Sequence, residues 1–376
     1  MPSLNDSELP KMKVLLAGAI PPPIIGPTLA NKIILDSKLT ELVELTHVDT
    51  SLNRDFGTLG RFSITSLTRA LFTYLKIITV IFKVKPDLLY LQCAQSTVAY
   101  FKDSIYVLIA KLFGLRVVAH LRGSEFKSWY EDQNFLVKLY VRYIQAKIDR
   151  QLVLGECLKY LYEEVMPPER ISVVPNGKDL EINESQNYFL SENEREMNIL
   201  FLANLKKRKG ILEFLEAAKI LIEKSEKELA FIVAGASRDA EVESYIENLL
   251  STKFAKKIVF VGQVNEAEKR ALLAKADVFV FPPQLPEGHP WVILEALAAG
   301  LPVIATDQGA ISESVRSGVN GFLTVGTPED IAKHIEFLYC PELRMKFSKM
   351  SRKIYVDEFT ESRLVDNLVA NFESLR

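Results

Sequence analysis

Cysteine and histidine are scarce in this chain, at three and four among 376 residues. Cys93, Cys157 and Cys340 stand far apart and are odd in number, so neither a disulfide framework nor a zinc site is indicated. A reducing cytoplasm is the natural compartment for such a chain. The sequence also lacks an Asp-x-Asp, a Walker-type phosphate loop and any clustered His/Cys set, so no metal or other cofactor is expected. An excess of basic charge is missing as well. The chain has 46 Lys and Arg against 48 Asp and Glu, a net charge of −2, which argues against a general nucleic-acid binder. Residues 1–10 are acidic and polar and do not contain the apolar core of a signal peptide. The uncharged run 14–31 is long enough to resemble a membrane span. Gly18, Gly26 and the prolines 21, 22, 23 and 27 instead divide it into a strand and a loop.

What is present is a two-domain α/β pattern. A chain of 376 residues, 48% hydrophobic and 25% charged, exceeds one ordinary core and fits two globular domains. Apolar strand-like runs alternate with helical patterns throughout, which indicates parallel sheets with crossover helices. Strands are expected at 13–19, 87–92, 116–121 and 150–154, and then at 198–203, 229–234, 258–261, 277–281 and 303–305. The expected domains are 1–180 and 197–350, joined by a polar, Asn/Glu-rich linker at 181–196. Residues 351–376 read as a terminal helix.

The most informative residues are Glu287 and Glu295, with seven residues between them in the run Glu287-Gly288-His289-Pro290-Trp291-Val292-Ile293-Leu294-Glu295. Pro290 suits the first turn of a helix, which places Glu287 in the loop after a strand and Glu295 inside an otherwise apolar helix. An unpaired carboxylate there would cost several kcal/mol, roughly, so Glu295 needs a partner. No basic residue lies within a helical turn. The candidates are a ribose diol offering two hydroxyls or a distant Arg or Lys.

This run resembles the donor-sugar motif of the retaining family 4 glycosyltransferases, which have the GT-B fold. The likeness continues through Pro302-Val303-Ile304-Ala305-Thr306, Gly309-Ala310-Ile311-Ser312-Glu313 and Gly318-Val319-Asn320-Gly321-Phe322-Leu323. The resemblance implies two Rossmann-like domains facing a cleft, with the terminal helix crossing back to the first. It implies that Glu287 lies near the donor sugar, that Glu295 binds the ribose, and that Gly288, His289, Pro290, Trp291 and Val292 shape the sugar pocket. In the loop Asn204-Leu205-Lys206-Lys207-Arg208-Lys209-Gly210, Lys209 matches the family's diphosphate-binding Lys. Asn204 stands where the family usually has Arg, leaving Lys209 as the principal cation with Lys206, Lys207 or Arg208 to compensate.

Three further features follow from the same resemblance. Gly309-Ala310 precedes an expected helix over 311–316, whose backbone donors suit a phosphate. Gly262-Gln263-Val264 matches the place where the family contacts the base through its backbone. Gly26, in Pro21-Pro22-Pro23-Ile24-Ile25-Gly26-Pro27-Thr28, corresponds to the family's glycine loop, although here a single Gly precedes Pro27. His120 or Arg122 occupies the sugar-proximal position, and the register between them stays open. An Arg there cannot act as a general base.

The segment 61–85 interleaves Arg61, Arg69, Lys76, Lys83 and Lys85 with Leu, Phe, Tyr and Ile. It reads either as an ordinary core-packing helix or as a basic amphipathic helix for an anionic membrane surface. The expected activity is sugar transfer from a nucleotide-sugar donor, with retention, to a glycan or polyprenyl-linked saccharide acceptor in cell-surface polysaccharide biosynthesis. The expected location is the cytoplasm or the inner face of the cell membrane. The rival readings are a GT-B nucleotide-sugar epimerase, which would need no acceptor, and a non-catalytic GT-B binding protein.

Overall fold

The computed structural model describes residues 10–51, 64–180 and 196–376. Arg61 and residues 181–195 of the expected linker lie outside the described residues. The chain divides into two units. Met1–Leu154, Leu158–Pro175 and Glu361–Arg376 form the first, and Gly155–Cys157 with Asn176–Thr360 form the second.

The first unit is built from β1 (Lys13–Ala17), α1 (Gly26–Asp36), α2 (Leu39–Leu42), β2 (Glu44–Val48), α3 (Ile64–Val84), β3 (Leu88–Cys93), α4 (Thr97–Leu112), β4 (Arg116–Leu121), α5 (Phe126–Glu131), α6 (Phe135–Gln145), β5 (Arg150–Val153) and β6 (Ile171–Val173). Its sheet is wholly parallel, in the order β2-β1-β3-β4-β5-β6. Buried aliphatic runs such as Val14-Leu15-Leu16 and Val117-Val118-Ala119 make its centre, as expected of strands covered on both faces.

The second unit contains β7 (Met197–Leu202), α7 (Ile211–Lys224), β8 (Leu229–Ala234), α8 (Ala240–Leu250), β9 (Ile258–Gly262), α9 (Glu266–Lys275), β10 (Val278–Phe281), α10 (Trp291–Ala298), β11 (Val303–Thr306), α11 (Ile311–Ser314), β12 (Gly321–Thr324), α12 (Pro328–Phe337) and α13 (Pro341–Glu358). The strand order is β12-β11-β10-β7-β8-β9, again parallel. Counted within the unit this is the doubly wound Rossmann order. The order reverses between β7 and β10, and ligands of such sheets bind beyond the carboxyl ends of the strands at that point.

The last helix, α14 (Glu361–Glu373), belongs to the first unit, where the Phe372 ring meets Tyr90 with centroids 5.7 Å apart. Residues 351–360, expected with this helix, belong to the second unit. Three strands that no long apolar run announces, β2, β6 and β12, are all edge strands. An edge strand has a single neighbour and needs less apolar surface.

Candidate active site

The switch point of the second unit places two charged residues together. The β7 exit leads through Lys206 to a single 3-10 turn, Lys207–Lys209, which ends at Gly210 with φ +79°. Gly210 is required there, because a Cβ would stand 1.9 Å from the Pro282 carbonyl oxygen in the β10 exit. The two exits are also joined by a hydrogen bond of 2.9 Å from Gln284 N to the Arg208 carbonyl. Lys209 is thereby aimed across the switch point, and its Nζ lies 2.5 Å from Glu287 Oε1. Their side chains are 23% and 11% exposed, and Lys209 Nζ also lies 5.7 Å from the Phe281 ring centroid. This is a half-sheltered ion pair with one side open to solvent.

Glu287 is fixed by its own backbone. Gly309, with φ +61°, packs so closely that a Cβ would come within 1.5 Å of the Glu287 carbonyl oxygen. The next residue, Ala310, donates its N–H to the Gly288 carbonyl at 2.9 Å. The helix expected over 311–316 is shorter than its expected bounds. α11 is one turn long, and the Ala310 donor is already engaged in positioning Glu287 and Gly288.

α10 starts at Trp291 with Pro290 as its N-cap, and Glu295 is its fifth residue. The helix stops in a Schellman arrangement. Gly300 takes φ +71°, Gly300 N–H donates to Leu297 O, and Leu301 N–H donates to Ala296 O. Glu295 is only 3% exposed, and the partner it takes in this structure is Lys269 on α9, with Nζ to Oε1 at 2.5 Å. Glu266 adds a second carboxylate to Lys269 at 2.9 Å. A distant cation is thus one partner of Glu295. Burial pushes the Glu295 carboxyl up from the ordinary range, and the Lys269 charge opposes this. Burial alone would lower Lys269, but the two carboxylates outweigh it and raise its pKa.

His289, expected at the sugar pocket, lies in the interior of the second unit. It is buried, its Nδ1 accepts from the Asn176 N–H at 3.1 Å, and its Nε2 lies 2.6 Å from Ser314 Oγ. Asn176 Nδ2 also donates to the His289 carbonyl at 2.7 Å. These bonds make His289 a lock within the second unit. Trp291, Val292 and Val264 are partly buried against the core. Gly288 and Pro290 are half-buried, whereas Asn204 and Gly262 are exposed. Gly262 takes φ +80° at the β9 exit with nothing within 4 Å of a Cβ. Beside the Lys209 turn, Lys206, Lys207, Arg208, Glu213, Asp239, Gln284 and Leu285 line a cavity of about 520 Å³.

His120 is fully buried near the end of β4, and its Nδ1 lies 2.9 Å from the Tyr90 hydroxyl. Arg122, half-buried just past the strand, donates through Nη2 to the same hydroxyl at 3.1 Å. With the hydroxyl accepting from Arg122 and donating onward, the proton of His120 resides on Nε2. Burial, and then the Arg122 charge, hold the His120 pKa well below 6.5, with the Val174 backbone acting in the opposite direction. A neutral imidazole with no exposed atom cannot touch a substrate as it stands, while Arg122 lies where the strand opens. Gly26 is exposed as the first residue of α1 and does not take a positive φ.

Sequence reasoning missed Lys269 and Tyr90. Lys269 lies 26 residues from Glu295, on a helix whose other charges are unremarkable, and carries no local signal. Tyr90 reads as one more apolar residue of a strand until its hydroxyl is placed between Arg122 and His120.

Residues 183–354 match the family described as glycosyl transferases group 1. Spore coat protein SA of Bacillus subtilis is 30% identical over 184 residues, 47% of this chain and 49% of that protein. The Escherichia coli UDP-Gal:alpha-D-GlcNAc-diphosphoundecaprenol alpha-1,3-galactosyltransferase is 30% identical over 231 residues, 57% of each chain. The chain thus spans about half the length of the curated relatives it matches. Among solved structures, sucrose-phosphate synthase from Thermosynechococcus elongatus superposes with a TM-score of 0.74 at 14% identity, over 97% of this chain and 99% of that one. Anabaena HepE in complex with UDP and glucose gives 0.68 at 18% identity, over 96% and 100%. The chain has the GT-B fold, and within its second unit residues 183–354 match the glycosyl transferases group 1 family.

Proposed function

We propose that the chain transfers a sugar from a nucleotide-sugar donor, with retention, to a glycan or lipid-linked saccharide acceptor in cell-surface polysaccharide biosynthesis. The observation that carries this reading is the Lys209–Glu287 pair at the switch point of the second unit. Two similar proteins support it: one is a galactosyltransferase whose name contains UDP-Gal and a diphosphoundecaprenol, and one was solved in complex with UDP and glucose.

In this reading Lys209 faces the diphosphate, where negative charge grows as the glycosidic bond breaks. A fixed cation there stabilises the transition state more than the ground state. Glu287 holds Lys209 in place before the donor arrives and then lies beside the transferred sugar. Glu295 accepts from the ribose hydroxyls, the Gly262–Val264 backbone meets the base, and Asn204 contributes a neutral polar contact to the donor. Lys209 supplies the charge that a metal provides elsewhere, so the reading requires none.

Steady-state kinetics of Lys209→Ala test the assignment. The turnover number should fall by roughly two to three orders of magnitude, as when one preorganised charge-stabilising donor is removed. Lys206→Ala, at an exposed neighbour, should stay close to wild type. Equal losses in both variants would contradict the role given to Lys209.

A further inference from the structure

Helices α3, α4 and α6 lie side by side on one face of the first sheet. The crossovers from β2 to β3, β3 to β4 and β4 to β5 all advance in one direction across the sheet, so right-handed connections put these helices on the same side. Rings from this layer also meet: Phe82 and Phe113, and Phe101 and Tyr140, have centroids 5.0 and 4.8 Å apart. Each helix buries one face on the sheet and leaves another apolar face in solvent. Phe72 and Phe82 are 73% and 65% exposed, Val98 and Leu112 are 61% and 81%, and Phe135 and Leu136 are 76% and 73%. Of the 23 large exposed hydrophobic side chains among the described residues, 12 belong to these three helices. Single exposed apolar side chains need no explanation, but a continuous apolar layer does.

Charge identifies the occupant. The three helices carry seven Lys and Arg and one acidic residue, Asp103, whose carboxylate already pairs with Lys102 at 3.2 Å. The chain as a whole has slightly more acid than base, so this layer departs from its surroundings. Lys76, Lys83 and Arg142 are themselves exposed among the apolar side chains. A second copy of the chain docked face to face would oppose like charges across the contact. Anionic lipid instead meets the basic residues with headgroups and the apolar residues with acyl chains.

We propose that the α3–α4–α6 layer is a monolayer-docking surface for anionic phospholipid. The amino-terminal ends of these helices emerge at the carboxyl end of the parallel sheet, where β4 leads into Arg122, so docking brings membrane-held molecules towards that end. The inference extends the reading of residues 61–85 to a surface of three helices, and it is independent of the donor site in the second unit.

Co-sedimentation with vesicles of pure phosphatidylcholine and of equimolar phosphatidylcholine and phosphatidylglycerol, at low and high salt, provides the test. The wild-type chain should pellet with the anionic vesicles, more at low salt, where screening is weaker. Lys76→Glu with Lys83→Glu should lower binding roughly thirtyfold or more, from about a fivefold contribution per basic residue. Phe72→Ser with Leu136→Ser should lower it at both salt concentrations. Both double variants should keep wild-type stabilisation by nucleotide sugars, which separates this result from the fate of the transferase reading. Equal recovery of all three proteins would overturn the proposal. So would a concentration-dependent dimer in sedimentation velocity, lost in Phe72→Ser with Leu136→Ser, together with no vesicle binding; that result assigns the layer to a second copy.

Discussion

Two buried charge arrangements show how differently the chain treats polar groups in its interior. Lys269 neutralises Glu295 across 2.5 Å, and the pair is tolerable only while both partners remain. Lys269→Ala should therefore destabilise the chain by roughly 3–5 kcal/mol, because it strands a carboxylate in an apolar helix. Urea unfolding measures this, and a loss below about 1 kcal/mol, the scale of exposed pairs, would mean that Glu295 is solvated after all. His120 is handled in the opposite way, by exclusion of its proton. Its pKa is depressed from 6.5, so below that value the unfolded chain binds a proton that the folded chain refuses, and His120 takes stability away as pH falls through 6.5. Its ring resonances should stay constant in NMR spectra between about pH 5 and pH 8, the interval in which an ordinary histidine titrates. A midpoint near 6.5 would show that the Arg122–Tyr90–His120 chain is not closed.

The elements around the switch point are held by close backbone approaches as well as by side chains. Gly210 and Gly309 both take positive φ, and each faces a carbonyl oxygen at a distance no Cβ can occupy. Gly309→Ala should cost roughly 2 kcal/mol or more in a denaturant titration, from backbone strain and the clash with Glu287. It should also impair transfer, since the Glu287 carbonyl must move; unchanged stability and activity would mean that the loop is slack. The central strands were legible because fully covered parallel strands read as apolar runs, and β1, β3, β4, β7, β8 and β10 lie within a few residues of expectation. The edge strands β2, β6 and β12 were not, since Glu44-Leu45-Thr46-His47-Val48 alternates with polar residues and has only one strand beside it. α11 ends sooner than expected. Val315 takes extended backbone angles, and the Asn320 side chain accepts the Arg316 N–H at 2.7 Å, drawing the chain into the next turn.

At the scale of the molecule, a chain with nearly balanced charge is divided into two parallel-sheet units of unequal local character. The first unit exposes the basic, apolar helical layer, and the second brings Lys209 and Glu287 together at its switch point. No helix among the described residues is long and apolar enough to cross a membrane. The Glu287 and Lys209 loops could be placed from sequence because motif order follows strand order in a doubly wound sheet. Their direct pairing could not, because it depends on β7 and β10 being neighbours although 75 residues separate the end of β7 from the start of β10. His289 and Lys269 escaped for the same reason, their partners lying 113 and 26 residues away. The central claim, a nucleotide-sugar donor at the switch point, is tested most directly by calorimetry. Wild-type, Lys209→Ala and Glu295→Ala chains should be titrated with a panel of UDP-, GDP- and ADP-sugars. The account predicts saturable binding of one nucleotide class by the wild type and an affinity roughly a hundredfold lower in Glu295→Ala, where charge-assisted hydrogen bonds are lost. Lys209→Ala should also bind more weakly. No binding of any nucleotide sugar, or wild-type affinity in both variants, would contradict it.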